Sequence, residues 1–433
     1  MTPTIAVLIL FLVTCAALIT LVFAKPSVMI GGKKISIFWL APLLGAVALM
    51  IGGFITPSEI AAGLTSAGDV NPLKILVLFF SMTMMSVYLD EIGFFRLLAH
   101  KVLARAKGSQ ITLFFLLYAL VSVLTVFTSN DIVILTFTPF ICHFCRSAKV
   151  DPIPYLIMEF VAANTWSLFL LIGNPTNIYI SGAFHIGFGE YLRIMALPTV
   201  AAGICSLCIM LLLFRKRLHS PIQLSQGVPP ITDRPLMWVA LGHLAACVIL
   251  LSLSQSIGFE MWLISLFMGI SAVISSVICL WIRHKSLRVV GAAIGRMPYE
   301  IIPFIVGMFV MVLGLEACGF THLIAEKLTA GGGVFSVGFL SFFSCNVLNN
   351  IPMSVLFSKF LNEGADMGQI YATIIGSNIG AFITPVGALA GIMWINLLKQ
   401  NRVRLSTKRF VATGCAIGIP VMAASLAVLR FLV

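Results

Sequence analysis

The sequence predicts an all-α polytopic membrane protein made of two inverted-topology repeats, each with a re-entrant hairpin and a broken transmembrane helix. Three observations carry that expectation. The 433 residues are 60% hydrophobic and 10% charged, whereas soluble domains are about half apolar and about a quarter charged. A local text occurs twice: Leu89–Val102 reads LDEIGFFRLLAHKV and Leu315–Leu328 reads LEACGFTHLIAEKL. Each copy is followed by polar interruptions of otherwise apolar stretches, at matching places.

The charge distribution sets the order of crossings. Net charge is +12, but the basic residues sit in short runs between apolar segments, which excludes a nucleic-acid surface. Six connecting stretches, Lys25–Lys34, Arg96–Lys107, Arg146–Lys149, Arg215–Arg234, Arg283–Arg296 and Lys399–Arg409, hold 22 of the 27 Lys and Arg residues. Short basic loops stay in the cytoplasm. With all six inside, a helix over 5–24 runs inward, 36–55 returns, and 73–92 comes back in. The stretch 110–145 starts and ends at basic runs, so it enters and turns back at Ser129-Asn130-Asp131. Segment 152–185 crosses outward with a break at Gly173–Asn177, and 191–214 returns. Five net crossings leave the second half inverted. Helices 236–254, 259–282 and 299–316 lead out, 334–361 enters and returns at Asn349-Asn350, 370–398 crosses with a break at Ser377–Pro385, and 410–432 ends outside. The expected domains are therefore an N-terminal repeat 3–217, a cytoplasmic linker 218–235 and a C-terminal repeat 236–433, in a multi-pass protein of the cell (inner) membrane with both termini outside.

Paired broken segments in two halves are the sequence pointer to a secondary transporter's binding site. Non-helical backbone is tolerated at membrane depth only where protein or a polar cavity satisfies it. A half-helix that starts at a break offers free N–H groups to an anion, and one that ends there offers carbonyls to a cation. The expected substrate residues are Ser129, Asn130, Asn174, Pro175, Thr176, Asn177, Asn349, Asn350, Ser377, Asn378, Thr384, Pro385 and Gly387. A coupling Na⁺ or H⁺ is expected at Asp131, with Thr128 and Asn164, because a carboxylate at membrane depth is costly and marks function. The bland reading of Asp131 is a helix cap. Glu159 is expected near the membrane edge or in a pair, and Asp90, Glu91 and Glu316 are expected to tether the linking segment. The ten cysteines lie in apolar stretches and are read as packing. Gly331-Gly332-Gly333 is an approach to the second hairpin. No metal-ligand cluster, cofactor or catalytic pair is expected, so an enzyme is disfavoured.

These motifs resemble the ion transporter superfamily over essentially the whole chain. The resemblance rests on LDEIGFF at Leu89–Phe95, SNDIVILTFTPFI at Ser129–Ile141, FGEYLRIM at Phe188–Met195, NNIPM at Asn349–Met353 and ITPVGALAGIMW at Ile383–Trp394. It is closest to the arsenite permease and sodium/proton antiporter branch, while Gly173-Asn174-Pro175-Thr176-Asn177 is similar to the Gly-x-Pro-x-Asn pattern of divalent-anion:sodium symporters. The permease resemblance implies acidic residues where this chain has Asn164 and Asn378. It implies ion-coupled alternating access for a small anion or metalloid oxyanion, with arsenite or antimonite efflux first. Sodium-coupled carboxylate or sulfate symport and sodium/proton exchange are the alternatives, and a channel is the other class. It also implies a dimerising scaffold, roughly 5–92 and 236–316, beside a moving part formed by the hairpins and broken helices. For the topology, cysteines placed in the Arg215–Arg234 loop should be labelled by an impermeant maleimide only in inverted vesicles. Labelling from the outside of intact cells overturns the arrangement.

Overall fold

Apolar chain without water around it must satisfy its own amides, and it does so here as helices. The computed structural model describes residues 3–24, 27–30, 33–65, 71–219, 233–321, 333–361 and 364–433. The first half contains α1 (Pro3–Ala24), α2 (Leu40–Ile51), α3 (Pro57–Thr65), α4 (Pro72–Glu91), α5 (Phe94–Arg105), α6 (Gln110–Phe127), α7 (Asn130–Ala148), α8 (Ile153–Trp166), α9 (Pro175–Ala183) and α10 (Phe188–Phe214). The second half contains α11 (Arg234–Ser252), α12 (Ser254–Ile257), α13 (Met261–Ile282), α14 (Arg288–Gly295), α15 (Ile301–Ala317), α16 (Val334–Leu348), α17 (Asn350–Leu361), α18 (Met367–Ile379), α19 (Leu389–Gln400) and α20 (Thr407–Leu432). Among the described residues, eight helices are long and apolar enough to cross a membrane. Most of the linker, and the C-terminal part of the second text copy with Gly331 and Gly332, lie outside the described residues.

The helix starts follow local chemistry. Ser109 accepts from the Thr112 amide at 3.2 Å to open α6. Asp366 and Gln369 close a reciprocal capping box on α18, which satisfies two amide donors that the first turn cannot. One expected helix is shorter than its sequence span. Residues 36–55 yield only the 12 residues of α2, about 18 Å of helix: Ser36 belongs to a two-stranded antiparallel ribbon, β1 (Ser27–Ile30) with β2 (Lys33–Ser36), and Gly53, at φ 69°, ends the helix at the other side.

Contacts in one half recur in the other. α6 packs on α8 as α16 packs on α18, and α8 meets α10 as α18 meets α20. Likewise α1 packs on α2 as α11 packs on α13, and α4 on α13 as α15 on α2. The two halves also exchange arms: α7, after the first break, packs on α19, while α17 packs on α9. Each arm therefore buries itself against the other half, and the core forms where they cross. Outward faces stay apolar, with Ile51, Trp238 and Trp281 all more than two-thirds exposed, as lipid-facing surface requires.

The duplicated text supplies ion pairs at helix ends. Asp90 and Glu91 both bind Arg296 Nη1, at 2.8 and 2.5 Å, and Glu316 binds Lys359 Nζ at 2.9 Å. The first pair joins α4 to the segment after α14. The second joins α15 to α17. These acids were expected to tether the linking segment that follows them, and the pairs instead reach Arg296 and Lys359, on other parts of the chain and different in each half.

Small residues set the closest approaches. A Cβ at Gly376 would lie 1.9 Å from Ser341 Oγ, and one at Gly414 would lie 1.7 Å from the Phe382 carbonyl oxygen. These contacts let α18 sit against α16, and α20 against the second break, as small residues do in membrane interiors. Gly414→Ala should cost about 1–3 kcal/mol by overpacking and lower the unfolding temperature in detergent. Gly291→Ala, at an open helical position with nothing within 4 Å, should leave stability unchanged or raise it by up to about 1 kcal/mol. Equal behaviour of the two variants contradicts the packing.

Candidate functional site

The two broken segments meet at one side chain. α8 ends at Trp166, a 3-10 turn covers Leu171–Gly173, and Asn174 is extended before Pro175 opens α9. Pro at the first helical position needs no amide partner there. α18 ends at Ile379, 3-10 turns cover Gly380–Phe382 and Pro385–Gly387, and α19 begins after extended Ala388. The fully buried Asn378 joins them. Its Oδ1 accepts from Asn174 Nδ2 at 2.8 Å and Ser167 Oγ at 2.9 Å. Its Nδ2 donates to Asn177 Oδ1 at 2.8 Å and to the Ile374 carbonyl at 3.0 Å. Ser377 Oγ reaches Thr176 Oγ1 at 3.1 Å, and Asn177 Nδ2 donates to the Ser167 carbonyl at 2.8 Å. Three expected residues of the first break and two of the second thus form one hydrogen-bonded crossing.

The hairpin tips connect to this crossing differently. At the first, Asn130 Nδ2 donates to Asn164 Oδ1 at 3.1 Å. Asn164 itself donates to the Phe160 carbonyl at 2.8 Å. Thr128 spends its hydroxyl on the Leu124 carbonyl at 2.7 Å, so it caps α6. Ser129 is extended and gives α7 no side-chain cap, and its buried Oγ has no partner among the described residues. Asp131 is 5% exposed, with no hydrogen bond or ion pair to its carboxylate among the described residues. Its backbone N–H donates to Asn130 Oδ1 at 3.0 Å. At the second tip, Asn349 adopts φ 73° and ψ 151°, outside the left-handed helical region and strained for a residue other than glycine. Its Nδ2 donates to the Val386 carbonyl at 2.7 Å. Asn350 Oδ1 is buried without a partner.

Thr384 does not join the crossing. Its amide and hydroxyl both donate to Asn346 Oδ1, at 2.8 and 2.7 Å, and Asn346 Nδ2 donates to the Gly380 carbonyl at 2.9 Å. Asn346 pins the second break to α16 and packs beside Gly387, where a Cβ would lie 2.8 Å from its Oδ1. Pro385 starts the turn that this holds. Sequence reasoning missed Asn346 and Ser167. Both were visible as polar residues one turn from an expected break, Asn346 within Cys345-Asn346-Val347 and Ser167 three residues after Asn164. Glu159, expected near the membrane edge or paired, is fully buried and bonded to the Thr138 hydroxyl.

Chemically the site is amide and hydroxyl. The sequence has no Lys, Arg or His at 128–131, 164–177, 346–353 or 377–391. The unpartnered oxygens of Asp131, Ser129 and Asn350 are hard donors suited to Na⁺ or a proton, and the amide hydrogens and helix starts suit a polar solute.

Comparison with known proteins decides the family. A family model described as citrate transporter, CitMHS, matches residues 19–373. The chain belongs to this family. CitMHS membership makes it a membrane transport protein. It is 27% identical over 417 residues to the arsenical pump membrane protein of Escherichia coli strain K12, covering 92% of this chain and 94% of that one. It is also 27% identical over 369 residues to a putative arsenical pump membrane protein of Bacillus subtilis, covering 76% and 80%. The crystal structure of the Alcanivorax borkumensis YdaH transporter superposes with a TM-score of 0.61 at 14% identity, covering 100% of this chain and 98% of that one. That likeness is one of fold.

Asn378→Asp should disable the transporter. The new oxygen replaces a donor that faces the Asn177 and Ile374 oxygens, and each buried group left unpaired costs about 1–3 kcal/mol. Solute flux should fall at least tenfold while detergent-solubilised protein stays monodisperse. Unchanged flux removes Asn378 from the site.

Proposed function

We propose that this CitMHS protein is an ion-coupled secondary transporter that exports a small metalloid oxyanion of the arsenite or antimonite type by alternating access. The amide crossing around Asn378 carries the reading, because it brings both broken segments, one from each half, to a single polar centre. The chain is read as repeats 3–217 and 236–433 of opposite orientation, with both termini outside and a homodimerising scaffold.

The chemistry of the crossing favours the metalloid. Arsenite at neutral pH is mainly the uncharged trihydroxide, which needs hydrogen-bond donors and acceptors and no counter-charge. Ser129, Asn130, Asn174, Thr176, Asn177, Asn349, Asn350, Ser377 and Asn378 supply that, and a charged Asp131 does not repel it. Similarity to arsenical pump membrane proteins over nine-tenths of the chain supports the same reading. Sodium-coupled uptake of a carboxylate is the second reading, favoured by the family description and by the N-terminal ends of α7, α9, α17 and α19 at the breaks.

Asp131 is the coupling residue in this reading. Its counterpart at the second tip is Asn350, so one charge breaks the symmetry at the site. A cation or proton there relieves an unpaired buried carboxylate, tying ion movement to occupancy of the first hairpin. The test uses proteoliposomes with imposed Na⁺ or H⁺ gradients and a panel of arsenite, antimonite, sulfate, citrate and succinate. Gradient-driven movement of arsenite or antimonite is expected. Asp131→Asn should abolish accumulation against a gradient, at least tenfold, and preserve exchange at equal concentrations. Undiminished accumulation by Asp131→Asn reduces Asp131 to a helix-start residue, and movement of citrate alone replaces the metalloid reading by the carboxylate one.

A further inference from the structure

Glu159 takes no part in the crossing, yet its surroundings are specific. It lies in α8, six residues from the Ile153 end, with no exposed surface. Thr138 Oγ1 of α7 sits 2.9 Å from one carboxyl oxygen and 3.1 Å from the other. From α7 it also faces Cys142, and from α19 the Trp394 indole, whose N–H points toward the carboxyl without reaching hydrogen-bonding geometry. Trp394 in turn packs with Phe160 and Phe410, in tilted and edge-on ring contacts with centroids 4.9 to 5.7 Å apart. Among the described residues of α7 and α19, Cys142 is the titratable group that meets Glu159. Arg146, one turn further along α7, is turned away to the Asn401 carbonyl at 2.7 Å. Among the described residues, α6, α10 and α18 bring no charged group to Glu159.

A hydroxyl owns one proton, whereas a protonated carboxyl is donor and acceptor at once. Thr138 can donate to one carboxyl oxygen, and its contact with the other is satisfied when that oxygen carries a proton and donates back to Oγ1. A neutral acid ring-paired with the hydroxyl meets both distances with a proton for each contact, whereas an ionised carboxylate shares one proton between them. Neutrality also avoids burying a charge with no partner.

The acid is close to water at one end only. A cavity of about 370 Å³ opens at the basic ends of α7, α8 and α19, lined by Cys142, Arg146, Asp151, Ile153, Asn401 and Arg402. Cys142 follows Thr138 by one helical turn, so it lies between the cavity and the carboxyl. In the other direction Asp131 is seven residues away on α7, about 10 Å, across a turn that carries Ile134 and Leu135.

We propose that Glu159 is a second proton-carrying site, loaded from the cavity past Cys142, held against Thr138 and separate from Asp131. Loading moves one proton from cavity water to the carboxylate, which becomes the neutral acid, and release returns it to water. Asp131 on α7 and Glu159 on α8, the latter bonded to Thr138 of α7, thus form two ionisable stations on opposite sides of an apolar turn. The tip station meets the solute site, and Glu159 meets the water at the basic end.

Infrared difference spectroscopy on the protein in lipid vesicles, titrated with pH, reads the site without any solute. A carboxylic-acid C=O band at neutral pH should be present in the unaltered chain and in Asp131→Asn, and absent in Glu159→Gln. Thr138→Val should displace the band by removing its hydrogen-bond partner. In proteoliposomes with arsenite, or citrate if the panel selects it, Glu159→Gln should lose at least tenfold of pH-gradient-driven accumulation and keep exchange without a gradient. Absence of a Glu159-dependent band, or accumulation by Glu159→Gln with an unaltered pH profile, overturns the proposal. If Glu159→Gln does not fold, an undisplaced band in Thr138→Val overturns it.

Discussion

The structure depends on one constraint: two pieces of non-helical backbone sit in an apolar interior and must be satisfied by side chains. Asn177 meets part of that need in the first by donating to the Ser167 carbonyl, Asn346 meets part of it in the second by holding the Gly380 carbonyl and the Thr384 amide, and Asn378 ties the two together, because an amide is donor and acceptor in a rigid plane. Its oxygen takes Asn174 and Ser167, and its nitrogen takes Asn177 and the Ile374 carbonyl. A carboxylate at this position would keep the first pair and repel the second. The amides at Asn164 and Asn378, where the permease resemblance implies acids, are therefore matched to their neighbours here.

Once the crossing is fixed, the remaining packing follows. α7 lies on α19 and α17 on α9, while each arm starts at a tip bound within its own half, Asn130 to Asn164 of α8 and Asn349 to the Val386 carbonyl of the second break. Gly376 and Gly414 then have to be bare, because helix backbones approach the breaks from both sides. The outer helices have no comparable demands. They present large apolar side chains outward and hold their ends by ion pairs or caps.

Much of this was legible in the sequence because membrane helices are read by length, apolarity and loop charge. Both tips break within a residue of the expected positions, at Ser129 and Asn349. The grouping of Asn174, Thr176, Asn177, Ser377 and Asn378 was legible as well, through the matching positions of the breaks. Pair geometry was not. Nothing in the spacing says that Thr384 turns to Asn346 or that Thr128 bonds back to Leu124, because such choices depend on backbone directions set by the whole core. For Glu159, nearness to a helix end was legible and full burial was not, because the Thr138 hydroxyl and the Trp394 ring beside it come from other helices. The β1–β2 ribbon had a local signal, Gly31-Gly32 between Ser27–Ile30 and Lys33–Ser36, a two-residue hairpin signature that the basic residues around it obscured.

The duplicated acids have diverged in what they anchor. In one half, Asp90 and Glu91 close onto Arg296, within the outer helices. In the other, Glu316 holds Lys359, at the far end of α17. The corresponding end of α7 is held by Arg146 on a backbone carbonyl, a contact between a charge and a dipole. Mobile ions therefore discriminate between the two arms. Screening weakens an exposed pair of full charges by some tenths of a kcal/mol, while a bond to a carbonyl fades less. The arms share an ancestral pattern and differ in ionic compliance, so the medium bathing one face of the protein sets the stiffness of one arm and leaves the other nearly unchanged.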